Sequence, residues 1–120
     1  MSANLILTLI TLLIVKHFIV DFLLQPKWMW SNKGISLHPG GLAHAGLHGL
    51  VTFIILSFYV KYAFFIAFAE AVVHYVVDFL KMNINSLYGW TSANPKFWVA
   101  LGVDQFLHYM TYVAIVWYLV

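Results

Sequence analysis

The chain has 120 residues, of which 63% are hydrophobic and only 8% are Asp, Glu, Lys or Arg, and its mean hydropathy is +0.89. Soluble domains are about 25% charged, so this composition excludes a water-facing domain and predicts an all-α integral membrane protein. The net charge of +2 is too small for a nucleic-acid partner. The absence of cysteine excludes disulfides, thiolate metal sites and thiol nucleophiles.

Four apolar stretches are long enough to cross a bilayer, which takes roughly 20 residues. They cover residues 4–25, 42–58, 62–82 and 96–119, and Pro, Gly, Asn or Lys separate them. We therefore predict a single four-helix transmembrane domain. The first stretch lacks a basic start and a small-residue cleavage site, so we interpret it as a retained helix and not as a signal peptide.

The lysines predict the orientation of the four spans. Lys27, Lys33, Lys81 and Lys96 lie in or beside the two longer loops, whereas only Lys61 lies on the opposite side. Positively charged loops stay in the cytoplasm, so both termini are predicted to lie outside.

A ten-residue segment occurs twice. VKHFIVDFLL at residues 15–24 and VVHYVVDFLK at residues 72–81 share six identical positions, including the His and the Asp. Each copy is followed by a helix that opens with a polar pair four residues apart, at positions 44 and 48 and at positions 104 and 108. We infer two repeated helical hairpins, related by an axis along the membrane normal.

All four acidic residues fall inside predicted spans, and each has a histidine four positions away. The pairs are His17 with Asp21, His74 with both Glu70 and Asp78, and His108 with Asp104. An ionisable residue in a membrane helix costs at least about 2.5–3.5 kcal/mol, so these groups are expected to face one another, water or an ion. In an up-down bundle they share one level, roughly 5–18 Å below the cytoplasmic surface.

Imidazoles and carboxylates at this spacing are the ligands that Zn, Mn or Fe takes from facing helices. The predicted ligands are His17, Asp21, His44, His48, His74, Asp78, Asp104 and His108. Eight ligands exceed the needs of one zinc, which favours two ions, or one ion whose ligands are hydrogen-bonded by the remaining groups. Gln25 and Gln105 are predicted to supply such hydrogen bonds to the carboxylates.

Other interpretations of the same residues stay open. The cluster fits a metal-free polar network that sets helix register, and paired histidines also hold haem. His38 is interpreted as an interfacial loop residue. The glycines at positions 40, 41, 46 and 49 are predicted to allow close helix approach.

The polar pattern resembles a known family. It consists of H-x-x-x-D-x-x-x-Q at residues 17–25, H-x-x-x-H at 44–48, H-x-x-x-D at 74–78 with Lys81, and D-Q-x-x-H at 104–108. It is similar to the small bacterial and phage membrane proteins grouped as domain of unknown function 3307. This resemblance implies a bacterial or phage membrane protein, placed here in the bacterial inner membrane, and supplies no activity. A looser similarity, in polar His/Asp pairs on short membrane helices and not in alignable sequence, is to membrane-bound metal-dependent hydrolases.

The main functional hypothesis is a metal-dependent hydrolase in which the metal generates hydroxide for attack on an amphiphilic substrate from the cytoplasmic leaflet. Glu70 or Asp104 would act as general base, and Lys81 would steady a phosphate or an oxyanion. For Glu70, the roles of metal ligand and of hydrogen-bond partner to a ligand stay open as well, and Lys81 also fits an ordinary helix end. The alternatives are a divalent-cation or proton-coupled carrier and a structural or regulatory membrane protein. The predicted partners are the lipid bilayer and an amphiphilic small molecule, and self-association into a homo-oligomer stays open.

Overall fold

The computed structural model describes residues 1–120 and contains only helices. These are α1 (Ala3–Phe18) with a π-helical continuation (Ile19–Leu23), α2 (Lys27–Trp30), α3 (Pro39–Ser57), α4 (Ala63–Tyr88) and α5 (Pro95–Leu119). Four of the helices, with α1 and its continuation counted together, are long and apolar enough to cross a membrane. The predicted all-helical class with four candidate spans is confirmed.

The helix ends differ from the predicted ones where capping residues act. Helix α3 begins at Pro39 and not at residue 42, because proline fits the first helical turn and the His38 side chain accepts a hydrogen bond from the Gly40 N–H at 3.0 Å. His38 is thus an N-terminal cap. Helix α4 continues to Tyr88, beyond the predicted residue 82, and ends at Gly89, whose φ of 65° few other residues adopt readily.

The first membrane-length helix changes its winding where the repeated segment lies. The N–H of Leu24 donates to the carbonyl of Ile19 at 2.9 Å, five residues back, as in a π-helix. Asp21 lies in the middle of this wider turn, whereas its counterpart Asp78 lies in regular α4. π-helical turns are frequent at functional sites. The two copies of the repeated sequence therefore differ in backbone conformation.

The four long helices form a closed ring. Helices α1 and α4 each pack against both α3 and α5, so α1 and α4 occupy opposite corners of the bundle. The molecule measures 46 × 28 × 22 Å. A long side chain on α1 can therefore meet α4 only across the centre of the bundle.

Helices α3 and α4 come into close contact at one glycine. A Cβ added to Gly49 would lie 2.9 Å from Ala71 Cβ and 3.2 Å from the carbonyl oxygen of Ala67. No such neighbour lies within 4 Å of Gly46. The prediction of close helix approach agrees with the structure at Gly49 and is wrong for Gly46.

The interior of the bundle is divided into an apolar half and a polar half. The apolar half lies toward the chain termini and is filled by Leu9, Leu13, Leu56, Ala63, Tyr112, Ile115 and Val116. The polar half lies toward the two longer loops and contains the eight predicted metal ligands, all of them buried. This division leaves the polar groups next to one end of the bundle only.

Candidate metal centre

The eight predicted ligands lie together in the polar half. They come from α1 with its π-helical continuation, α3, α4 and α5, and side-chain contacts of 2.8–3.8 Å, with Gln105 bridging Asp21 and Asp104, join them into one cluster. Helical spacing explains this arrangement, since residues four apart share a helix face. The structure thus brings together every residue that the sequence proposed as a ligand.

Asp21 is surrounded by imidazoles. Its Oδ1 lies 2.8 Å from His48 Nε2, 3.1 Å from His44 Nε2 and 3.8 Å from His74 Nε2. Its Oδ2 lies 3.1 Å from His17 Nε2. The carboxylate of Asp21, which lies in the π-helical turn, therefore contacts histidines from three helices.

Asp78 has a more mixed environment. Its Oδ2 lies 3.0 Å from Lys33 Nζ, 3.3 Å from His74 Nε2 and 3.4 Å from His44 Nε2. Its Oδ1 accepts a hydrogen bond from His108 Nε2 at 3.2 Å. Asp21 and Asp78 thus share His44 and His74 as neighbours.

Two groups of residues have ligand atoms close enough for one ion, within 4.8 Å of one another. One group is Asp21, His44, His48 and His74, and the other is His74, Asp78 and His108. His74 belongs to both, and its Nε2 lies 3.2 Å from His44 Nε2 and 3.3 Å from Asp78 Oδ2. One imidazole nitrogen binds one ion, so two ions cannot both use this atom.

Three of the imidazole rings form a stack. The rings of His48 and His74 are 3.7 Å apart at 25°, and those of His74 and His108 are 3.9 Å apart at 14°. The lone pair of an imidazole lies in the ring plane, so stacked rings do not aim at a common point. His44 stands at 63° to His74 and 83° to His48, which suits shared coordination better.

Three lysines neutralise three of the four carboxylates. The pairs are Lys16 with Glu70 at 3.1 Å, Lys33 with Asp78 at 3.0 Å and Lys81 with Asp104 at 3.2 Å. Asp21 alone has no lysine partner.

The same ion pairs bear on the predicted orientation. Lys33 and Lys81 pair with buried carboxylates, so they are not free loop charges. Of the four lysines that predicted the orientation, only Lys27 and Lys96 are therefore unpaired.

The spacing of the polar pairs does not identify Lys16 and Lys33 as site residues. Lys16 was detectable as a charge inside the first predicted span, next to His17. Lys33 carries no such signal, because it lies in a loop that only the fold brings back to the bundle. Both side chains are almost completely buried.

Of the three predicted catalytic residues, Glu70 is fully engaged. Its Oε1 accepts from Lys16 Nζ at 3.1 Å and its Oε2 accepts from the Thr52 hydroxyl at 3.1 Å. Asp104 Oδ1 has no hydrogen-bond donor and lies 3.3 Å from His108 Nε2. Lys81 is the most exposed of the ion-paired lysines, at 12%. Asp104 therefore has one oxygen without a donor and Lys81 has some exposed surface, whereas Glu70 has neither.

His17 has both ring nitrogens occupied. Its Nδ1 accepts from the Tyr112 hydroxyl at 2.7 Å, and its Nε2 donates to Gln105 Oε1 at 2.8 Å. Gln105 Nε2 in turn donates to Asp21 at 3.2 Å and to Asp104 at 3.0 Å, as its predicted role requires. Gln25, two residues beyond the end of the π-helical turn, instead donates to the backbone oxygen of Asp21 at 2.6 Å and not to a carboxylate.

The fold and the site together define a class: an all-helical bundle with four membrane-length helices and a buried cluster of histidines, carboxylates and lysines. The family model described as a protein of unknown function, DUF3307, matches residues 9–120. The chain therefore belongs to the DUF3307 family. No curated protein and no solved structure matches it.

Proposed function

We propose that this protein is an integral-membrane, metal-dependent hydrolase with a single divalent ion at the His/Asp cluster. The observation that carries the proposal is the environment of Asp21, a buried carboxylate with imidazoles around it and no lysine. An uncompensated charge is costly in a low-dielectric interior. With neutral histidines, the three lysines and four carboxylates leave one net negative charge, which a bound cation would compensate.

The distances around His44 support one tetrahedral site. Zinc bonds of roughly 2.0–2.1 Å place neighbouring ligand atoms about 3.3 Å apart. His44 Nε2 lies 3.1 Å from Asp21 Oδ1, 3.2 Å from His74 Nε2 and 3.4 Å from Asp78 Oδ2. We propose Asp21, His44 and His74, which belong to one of the two groups, as the protein ligands of the ion, with the fourth position left to a water. Zinc is the first candidate, and manganese and iron fit the same nitrogen and oxygen atoms.

The apolar half of the bundle favours an enzyme over a carrier. A carrier needs a path from the site to both membrane faces. Here the terminal half is closed by tightly packed side chains, among them Leu9, Leu13 and Leu56, each with no exposed surface. Such a one-sided site suits a reaction on an amphiphile that reaches it from one leaflet.

In this proposal the metal would make a bound water acidic enough to act as a nucleophile. Asp104 would accept its proton, since Asp104 Oδ1 has no hydrogen-bond donor. Lys81 would contact an anionic group of the substrate from the loop end. Glu70 is not proposed as a general base, because Lys16 and Thr52 occupy both of its oxygens.

Membrane insertion with both termini outside, the two repeated hairpins and a bacterial inner-membrane location are parts of the same proposal. The repeat is supported by matching contacts in the two halves. His48 Nε2 donates to Asp21 in one half, and His108 Nε2 donates to Asp78 in the other. Self-association stays an open expectation.

The test is metal content followed by turnover. Protein purified in detergent and loaded with zinc should contain about one equivalent, and His44→Gln should lose it. His38→Asn is the matched control, because asparagine retains the helix cap and His38 lies outside the cluster. A wild-type protein that binds no metal would refute the proposal.

Turnover would then be measured with alkyl p-nitrophenyl esters and phosphodiesters. Asp104→Asn should retain the metal and lose about 10²–10⁴-fold in rate, the usual contribution of a general base. Zinc uptake into protein-containing vesicles, without hydrolysis, would instead identify a carrier.

A further inference from the structure

Lys16 and Glu70 form an ion pair across the diagonal of the bundle. Lys16 lies on α1 and Glu70 on α4, and their side chains are 3% and 1% exposed. In the aligned repeat these positions correspond to Val73 and Leu13, both aliphatic. The other half of the bundle is thus built with apolar residues at the same places, so helix packing alone does not require the pair.

The Lys16 ammonium group has three partners for its three N–H bonds. It donates to Glu70 Oε1 at 3.1 Å, to the backbone oxygen of His48 at 3.3 Å and to His48 Nδ1 at 3.1 Å. Thr52 holds the second oxygen of Glu70 at 3.1 Å. The position and direction of the lysine head are therefore fixed.

This contact determines which nitrogen of His48 carries hydrogen. An ammonium group has no lone pair and can only donate, so His48 Nδ1 must accept. The hydrogen of the neutral ring is then on Nε2, which donates to Asp21 Oδ1 at 2.8 Å. A protonated Nε2 has no lone pair for a metal.

The ring stack gives the same result independently. The His48 ring lies on the His74 ring at 3.7 Å, so the two Nε2 lone pairs cannot converge on one ion. His74 Nε2 faces His44 and Asp78, whereas His48 Nε2 faces Asp21 at the shortest distance of that carboxylate. Of the two stacked rings, His74 is the one placed to bind.

We infer that Lys16, held by Glu70, is a positioning residue that makes His48 a hydrogen-bond donor to Asp21 and keeps it from binding the metal. The inference rests on the proposed metal site and states which of the nearby histidines bind the ion and which does not. Groups that hydrogen-bond a metal ligand affect affinity without belonging to the coordination sphere.

The test uses cobalt(II) as the metal, because its visible spectrum reports the ligands directly. His48→Gln should keep one cobalt per chain and the wild-type spectrum, with affinity lowered about 10–100-fold by the loss of the Asp21 contact. His44→Gln, the matched control, should lose the wild-type spectrum.

A second variant tests the lysine itself. Lys16→Val combined with Glu70→Leu copies the residues of the other half, and it should change the cobalt spectrum because His48 becomes free to bind. Adding His48→Gln to that variant should restore the wild-type spectrum.

The outcomes separate this inference from the proposed function. If the wild type binds no cobalt, the metal site itself fails. If cobalt binds and His48→Gln alters the spectrum as His44→Gln does, His48 is a ligand and the inference is overturned. An unchanged spectrum in the variant with both Lys16→Val and Glu70→Leu overturns the inference as well, since the Lys16–Glu70 ion pair would then have only a structural role. Should the Val/Leu variant not fold, the single His48→Gln variant still decides.

Discussion

Lys33 and Asp78 join a loop to the interior of the bundle. Lys33 Nζ reaches Asp78 Oδ2 at 3.0 Å, and both residues are buried. Next to them, Asn83 Nδ2 donates to the carbonyl oxygen of Gly34 at 3.0 Å. The loop between α2 and α3 is therefore attached to α4 and forms part of the wall around the cluster.

Replacing Lys33 should destabilise the whole bundle. Lys33→Met leaves Asp78 without its cation in a buried site, where loss of one partner costs about 3–5 kcal/mol. Lys27→Met, in the neighbouring helix α2 and exposed, should change stability by less than about 0.5 kcal/mol. Unfolding by SDS in mixed micelles measures both. Equal effects of the two substitutions would contradict the assigned role of Lys33.

Metal titration should reach saturation at one equivalent per chain, since both candidate groups need the same nitrogen of His74. Isothermal titration with zinc, checked by elemental analysis after desalting, measures the stoichiometry. Two tightly bound equivalents would show that the rings rearrange to separate the two groups, as the sequence-based expectation of two ions requires.

Tyr112→Phe should lower stability by about 1–3 kcal/mol, because it leaves the buried His17 Nδ1 without its 2.7 Å hydrogen bond. Tyr109→Phe is the control: its ring also lies against His17, at 5.2 Å, but its hydroxyl makes no hydrogen bond within the protein. The two variants are compared by thermal unfolding in detergent. A Tyr112→Phe variant as stable as Tyr109→Phe would mean that the hydroxyl contributes nothing.

Two glycines on one helix should respond oppositely to alanine. Gly49→Ala places a methyl group 2.9 Å from Ala71 Cβ and should cost about 1–3 kcal/mol as α3 and α4 move apart. Gly46→Ala meets no atom and should stabilise by about 0.5–1 kcal/mol through better helix propensity. The free energy of unfolding of both variants is measured in the same detergent. A loss of stability in Gly46→Ala as well would show that α3 also packs against a neighbour at Gly46.

The proposed orientation can be tested because the chain has no cysteine. Single cysteines at Ser31 and Ser92 should be protected from an impermeant thiol reagent in intact cells, and one at Ser2 should react. All three positions are exposed in the bundle, so burial within the protein does not affect the comparison. The reverse labelling pattern would move the proposed substrate to the outer leaflet.

The four long helices were predictable because each needs only about 20 apolar residues and a capping signal. The cluster was predictable in part for a related reason: charged residues are rare in such segments, so His74 and Asp78 stand out among their neighbours. The end of α4 was not predictable from hydropathy, because the residues from Asn83 to Tyr88, three of which are Asn or Ser, continue the helix beyond the apolar segment.

The internal arrangement of the cluster depends on information that one-dimensional spacing lacks. The rotation of each helix decides that Lys16 crosses to Glu70, and side-chain torsion angles decide that His48 stacks on His74. The contact of Lys33 depends on how a loop folds back. Periodicity identifies which residues share a helix face, but it does not say which of them touch.

The ring arrangement also bears on how the chain is made. Helix α1 leaves the ribosome first, yet its ionisable residues have their partners in helices that follow. Lys16 pairs with Glu70 of α4, His17 with Gln105 of α5, and Asp21 with imidazoles that include His48 of α3. With the helices inserted in the bilayer as proposed, each charge costs about 2.5–3.5 kcal/mol until its partner helix is synthesised. Helix α1 therefore reaches its final environment only after α5 emerges, although α1 precedes the other three long helices in the chain.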